Sequence, residues 1–557
     1  MTQRLPPAAP SLPVASSLAA NRRTALKLGA LGLVGMASPL AAQGGVRGFT
    51  HGVASGEPGP TQVLLWTRFV GTDEIRLSWE IAEDIDFATV AASGEALASP
   101  TRDCCAKAMA TGLKPGCWYY YRFIAPTGET SQIGRTRTLP VGKVAKFRLA
   151  VFTCSNFAFG RFNAYAHAAE AGDFDLAVHL GDYYYEYQRG QYPSAKQALP
   201  GRDLWPATEA VALADYRLRH ATYRADPDLQ RLHQILPMLV MWDDHEVAND
   251  TWKDGAENHQ SATEGDWAIR KAASERVWRE WLPVSDQDWA SYEIGDLATL
   301  FRLETRHVAR TKPLDMLGAV KGAAPDQVAA SYAAFRDGVW RDPSHQLLGE
   351  AQEAWLARQL KASARARKPW QVLAQQVVMG ELILPKMVVD GLPAATPDWL
   401  RQRLQSTVAA GQAGLPFNMD AWDGYPAARD RLYQSALAAD ANLLVLAGDS
   451  HNAWAFDLDR KGARVGVELG CQSVTSPGAE ETLAWTRPDA LSRALVERNP
   501  QLKWCDTAQR GYLAVELTPS RATGEFRFLR SVRQRSTELA GVRRMSVLAG
   551  QRRFAPT

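Results

Sequence analysis

Asp175-Leu176-Ala177-Val178-His179-Leu180-Gly181-Asp182-Tyr183-Tyr184-Tyr185-Glu186-Tyr187 decides how this chain folds. The aliphatic run is too short for a helix and reads as a buried strand that Gly181 ends. The same grammar recurs along the chain. Residues 147–152 are followed by Thr153-Cys154-Ser155-Asn156, and residues 238–242 by Asp243-Asp244-His245-Glu246 with Asn249-Asp250 beyond. Residues 443–447 are followed by Gly448-Asp449-Ser450-His451-Asn452, and residues 370–378 read as another strand. Helical stretches at 162–171, 274–281 and 348–360 lie between these strands. Strands alternating with helices predict a layered α/β domain. In such sheets ligands bind beyond the carboxyl ends of the strands, where these polar clusters fall.

Upstream the text is different. Residues 63–68, 75–80 and 118–123 are β-branched or aromatic runs separated by Gly, Pro and Asp, with a turn at Leu113-Lys114-Pro115-Gly116. Several short strands in about 90 residues predict an immunoglobulin-like sandwich over 44–142, structural in role because it holds no catalytic cluster. Trp66, Trp79 and Trp118 are assigned to its core. A linker at 141–146 leads to the catalytic domain, 145–535, and residues 536–557 are read as a C-terminal tail.

The chain is 557 residues long, 46% apolar and 22% charged, which excludes a disordered or collagen-like protein. Lys and Arg total 63 against 60 Asp and Glu. Residues 1–42 hold Arg4, Arg22, Arg23 and Lys27 and no acid, and end in an uncharged, Ala-rich stretch. This pattern predicts a cleaved signal peptide of the twin-arginine class, over the alternative of an uncleaved anchor. Without it the charge is balanced to within one unit, and no later stretch is apolar enough to span a membrane. No basic stripe with interleaved aromatics supports a nucleic-acid-binding role. The six cysteines are too few for a disulfide scaffold. Cys104 or Cys105 paired with Cys117, and free buried thiols, both remain open.

Each cluster alone is weak. A Gly-Asp after a strand is usually a turn, and a Cys at a strand end is usually a packed thiol. Asp243-Asp244-His245-Glu246 is harder to dismiss, because adjacent carboxylates repel unless they are solvated or hold cations. Four such clusters ending four strands point to a metal site. Ser450 lacks the glycine pattern of a nucleophile elbow. Tyr183, Tyr184 and Tyr187 are read as packing, and Trp454 as a candidate pocket wall.

His179-Leu180-Gly181-Asp182-Tyr183-Tyr184-Tyr185-Glu186-Tyr187 and Trp242-Asp243-Asp244-His245-Glu246 resemble the diagnostic blocks of the PhoD family of secreted alkaline phosphatases and phosphodiesterases. Tyr223 to Gln230, Thr305-Arg306, Trp422 to Pro426 with Arg429, Gly448 to His451, and Arg510-Gly511-Tyr512 fit it in order. The chain departs from the family at Thr153 and Ser155 around Cys154, at Ser285, and at His307 after Arg306. The resemblance implies a four-layer αββα metallophosphoesterase-like domain behind a β-sandwich. It also implies a purple-acid-phosphatase-like site of one Fe³⁺ and two Ca²⁺. Cys154, Asp182, Tyr185 and His451 would hold iron; Asp182, Asp244, Asp449 and Asn249 would hold calcium; His245 would serve the leaving group. Thiolate, phenolate and imidazole suit a transition metal and carboxylate oxygens suit calcium.

The expected product is therefore a periplasmic or secreted monomer, delivered by the twin-arginine export machinery, that hydrolyses phosphoesters with metal-activated water. The alternatives are a dedicated phosphodiesterase of the phospholipase D kind and a catalytically weak phosphate- or metal-binding protein.

Overall fold

Two mixed β-sheets face one another across an aliphatic core in the computed structural model, which describes residues 47–324 and 326–556. Residues 1–42, read from the sequence as a signal peptide, lie outside the described residues. The first sheet runs, in order, Leu539–Leu548, Arg521–Leu529, Gly511–Leu517, Phe147–Phe152, Leu176–His179, Met238–Val240, Gly48–Gly56, Gln62–Val70 and Cys105–Thr111. The second runs Ala290–Ile294, Ala298–Arg302, Trp370–Ala374, Leu443–Ala447, Ala463–Gly470, Ala453–Arg460 and Leu502–Asp506. The central strands of each are parallel, so their carboxyl ends gather at one edge.

Period-two alternation explains the layering. Leu149, Val151 and Val178 meet Val372, Leu444 and Leu446 between the sheets. Leu373, Leu443 and Val445 face the other way, onto Leu356 and Leu360 of helix Gly349–Arg365 and Leu432 of helix Pro426–Ala438. Strands buried on both faces read as continuous apolar runs, as Leu443–Ala447 does. Helices Asn163–Ala171, Leu213–Arg224, Pro227–Ile235 and Trp267–Trp281 belong to the layer on the first sheet. This is the four-layer α/β arrangement.

The N-terminal strands pack as a sandwich. Val90–Ala98, Ile75–Ala82, Trp118–Ile124 and Gly134–Arg137 form a four-stranded sheet that closes on the first sheet's last three strands around Val63, Leu65, Leu77, Trp79 and Tyr119. The sandwich shares its sheet with the catalytic layers, since Gly56 pairs in parallel with Met238. Only glycine fits there: a Cβ would lie 2.3 Å from the Pro283 carbonyl oxygen.

Some expectations change. Alternation turns Val63 and Leu65 into the sandwich and Trp66 away from it, where its indole donates to the Glu280 carbonyl at 2.8 Å. Trp118 is half-buried under the Arg135 guanidinium, 3.8 Å from its ring centre, and not in the core. Residues 536–557 contain strand Leu539–Leu548, whose Met545 and Val547 enter the inter-sheet core, so this segment is no loose tail. All six cysteines are free thiols; the Cys105 and Cys117 Sγ atoms face carbonyls of their own turns.

Candidate metal centre

The polar clusters meet where the strands end. Cys154, Asp182, Asp449 and His451 all take left-handed backbone angles, with φ of 57°, 53°, 63° and 63°. Such conformations are costly for these residue types and persist only where the surroundings impose them. The loops hold one another: Cys154 N–H donates to the Gly181 carbonyl at 3.2 Å and Ser155 N–H to the Asp182 carbonyl at 2.8 Å. Gly181, at φ 112°, leaves no room for a side chain, because a Cβ would sit 2.4 Å from the Asp243 Cβ.

Three groups of potential metal ligands result, each with its donor atoms within 4.8 Å of one another: Cys154, Asp182 and His451; Asp182, Asp244 and His245; and Asp243, Asp244 and Asp449. Asp182 and Asp244 each belong to two, so the groups form one continuous cluster. The Tyr185 hydroxyl donates to Asp182 Oδ2 at 2.8 Å, lies 3.1 Å from His451 Nε2, and accepts from Ser476 Oγ at 2.7 Å. Asn249 stands apart from these groups. Its Oδ1 accepts from Tyr187 at 2.8 Å, its Nδ2 donates to Glu257 at 3.1 Å, and its backbone N–H donates to Glu186 at 2.8 Å.

The donor set fits cations. Asp182 Oδ1, Asp243 Oδ2 and Asp244 Oδ1 are buried with no hydrogen-bond partner, an arrangement that costs free energy unless a positive charge meets it. Burial, with the nearby Asp182 charge, pushes the Cys154 thiol and the Tyr185 phenol well above their ordinary ranges. Without a cation both hold their protons; a metal would draw out thiolate and phenolate. Burial raises Asp449 to about 7 against the pull of Arg306.

Several residues that the sequence does not single out hold the cluster together. Arg306, fully buried, pairs with Asp243, with Asp420 at 2.7 Å and with Asp449 at 3.0 Å, and lies 3.5 Å from Asp244. Glu246 accepts the backbone N–H groups of Asp182 (3.2 Å), Tyr183 (2.5 Å) and Asp243 (2.6 Å), clamping the two loops together. Glu186 Oε2 lies 2.7 Å from His245 Nδ1, while Oε1 accepts from Asn249 N–H at 2.8 Å and Asn258 Nδ2 at 3.0 Å. Burial alone would lower the His245 imidazole, but the charges of Asp244, Glu186 and Asp182 raise it well above its ordinary value. Glu186 and Glu246 were visible only as members of acidic motifs. Asp420 and Ser476, from loops far along the chain, carried no local signal.

The neighbouring aromatic and hydroxyl side chains bond within the protein. Tyr183 and Tyr184 hydroxyls bond His233 and the Glu246 carbonyl. Ser450 Oγ accepts from the Trp454 indole at 2.6 Å, and Trp454 does line the cavity beside His451.

Residues 149–526 match the family model of the PhoD-like phosphatase, and residues 35–140 that of the PhoD-like phosphatase N-terminal domain. Alkaline phosphatase D of Bacillus subtilis (strain 168) is 30% identical over 509 residues, covering 86% of this chain and 77% of that one. A solved structure of PhoD aligns with a TM-score of 0.74 and 28% identity, covering 91% of this chain and 92% of its own. With the solved structure and both family models matching over nearly the whole described chain, this protein belongs to the PhoD-like phosphatase family and is a phosphoric ester hydrolase.

Proposed function

We propose that the protein is an exported alkaline phosphatase that cleaves phosphomonoesters, accepts diesters, and depends on one Fe³⁺ and two Ca²⁺. Cys154, Asp182, Tyr185 and His451 would hold the iron, and Asp182, Asp244 and Asp449 the calcium, with Asn249 left to its bonds with Tyr187 and Glu257. The observation that carries this reading is the set of three buried carboxylate oxygens without a hydrogen bond, of which only Asp244 Oδ1 has a cation near it, beside a thiol, a phenol and an imidazole. When bound, such cations activate water at neutral pH and offset the charge of the phosphoryl oxygens.

The chain's own groups prepare that chemistry. The His451 Nδ1–H donates to the Pro477 carbonyl at 2.6 Å, which fixes the tautomer and leaves the Nε2 lone pair toward Tyr185 and Asp182. The Ser476 hydroxyl donates to the Tyr185 oxygen and so favours its deprotonated form. Glu186 accepts from His245 Nδ1–H, leaving Nε2–H to protonate or hydrogen-bond the departing alkoxide. Ser450, tied to Trp454, is not a nucleophile in this scheme; water is.

Export follows the twin-arginine reading of residues 1–42, and the mature enzyme is proposed as a periplasmic or secreted monomer. Among the described residues no helix is long and apolar enough to cross a membrane. The test is hydrolysis of 4-nitrophenyl phosphate and of its bis-ester before chelation, after it, and after return of iron and calcium. Restored turnover of the monoester is expected. Turnover of the bis-ester alone would make the enzyme a dedicated phosphodiesterase, and turnover indifferent to chelation would contradict the metal dependence.

A further inference from the structure

His451, at the edge of the candidate metal centre, lines a cavity of about 840 Å³, within the range of small-molecule sites. His451, Asp250 and Asp420 form its polar end. Away from them the wall changes character, and leucine becomes its commonest residue. Leu384, Leu400 and Leu404 of helix Asp398–Gln412, Met419, Leu491 and Trp454 share this one surface.

Several polar side chains in that wall bond within the protein, while Arg403, Asp315, Glu481 and Thr482 also line it. Asn452 donates to the Ser450 carbonyl at 2.7 Å and accepts from Ala479 N–H at 3.2 Å. Asn418 accepts from Asp420 N–H at 3.0 Å, Thr407 donates to the Arg403 carbonyl at 2.8 Å, and Ser450 already accepts the Trp454 indole. A sugar or nucleoside needs free donors and acceptors along its whole length, and a site that leaves its hydroxyls unpaired rejects it. An alkyl group needs only apolar contact area.

We propose that this cavity seats an apolar alcohol portion of the substrate, making the preferred substrate class phosphoesters of medium or long alkyl alcohols. The inference rests on the phosphoester hydrolase reading and on the leucine-lined wall sharing one cavity with His451. Leu384 and Leu400 set the preference and are both only partly buried; Leu384 packs against the helix-side core and Leu400 against none of the described core clusters.

The experiment uses the full-length, metal-loaded enzyme and measures phosphate release from glycerol phosphate and from butyl, hexyl and octyl phosphate kept below their micelle thresholds. Complete burial of one methylene corresponds to about 0.8 kcal/mol, about fourfold in kcat/KM. Partial burial over four methylenes predicts a rise of roughly ten- to a hundredfold from butyl to octyl. Leu400→Gln and Leu384→Gln should each flatten the octyl-to-butyl ratio, a readout that does not depend on the variant's overall activity. Good turnover of glycerol phosphate with no rise along the alkyl series overturns the proposal and leaves the hydrolase reading intact. A rise that both variants leave unchanged overturns the assignment to this cavity. Turnover of no ester at all, including 4-nitrophenyl phosphate, overturns both readings.

Discussion

Replacing Glu186 by glutamine keeps the shape of a fully buried side chain and removes one charge. Its two oxygens now take His245 Nδ1 at 2.7 Å, Asn249 N–H at 2.8 Å and Asn258 Nδ2 at 3.0 Å. A glutamine oxygen can keep the Asn249 and Asn258 bonds, which turns the amide NH₂ toward His245. Nδ1 must then accept, and the imidazole loses the carboxylate that favours its charged form. A hydrogen bond to a charged group is worth about 1.5–3 kcal/mol, so roughly ten- to a hundredfold in rate is at stake. The loss should fall on substrates whose leaving group needs the proton. Steady-state kcat for an alkyl phosphate should drop by that factor, while 4-nitrophenyl phosphate, whose phenolate departs unaided, changes little. The metal content of Glu186→Gln must match the wild type for the comparison to count. Equal losses on both esters at equal metal content would refute the leaving-group role of His245.

Other perturbations test the architecture. Gly181→Ala forces a Cβ to within 2.4 Å of Asp243 at a positive φ and should lower stability by about 1–3 kcal/mol, read as a shifted urea midpoint. Arg306→Met strips the shared cation from Asp243, Asp420 and Asp449; the metal-free protein should lose about 3–5 kcal/mol, and added calcium should stabilise the variant more than the wild type. Equal calcium responses would show that Arg306 does not balance this cluster. Glu468, raised to about 7 by burial although Met379 and Gly380 N–H groups donate to it, holds in the folded state a proton that the unfolded chain releases near pH 4.5. Its contribution to stability therefore falls as pH rises from about 4.5 to 7 and levels off above that. The difference in denaturation free energy between wild type and Glu468→Gln, measured at several pH values, should shrink over that window and then stay constant.

The layered fold was legible because its strands are short apolar runs with abrupt polar ends, and 147–152 and 443–447 appear as strands with those limits. The same endings disclosed most of the cluster, since Cys154, Asp182, Asp244, His245, Asp449 and His451 each sit just past a strand. What escaped was what three dimensions assemble. Arg306 is one arginine among many until four carboxylates surround it, and Glu246 looks like a ligand until three backbone N–H groups fill its oxygens. Asn249 follows a ligand motif, yet its carboxamide goes to Tyr187 and Glu257. Trp66 reads as sandwich core, but strand parity carries it to the opposite face. Strand Leu539–Leu548 was missed because a two-faced, Arg-rich edge strand has little apolar signature of its own.

The account depends most on Tyr185 standing among Cys154, Asp182 and His451 as part of an iron site. Elemental analysis and a visible spectrum of the purified, active enzyme test that directly, alongside Tyr185→Phe. The account predicts bound iron with calcium, and a visible absorption from phenolate coordinated to Fe³⁺ that the phenylalanine variant lacks. A colourless, iron-free protein that hydrolyses phosphoesters at full rate would contradict it.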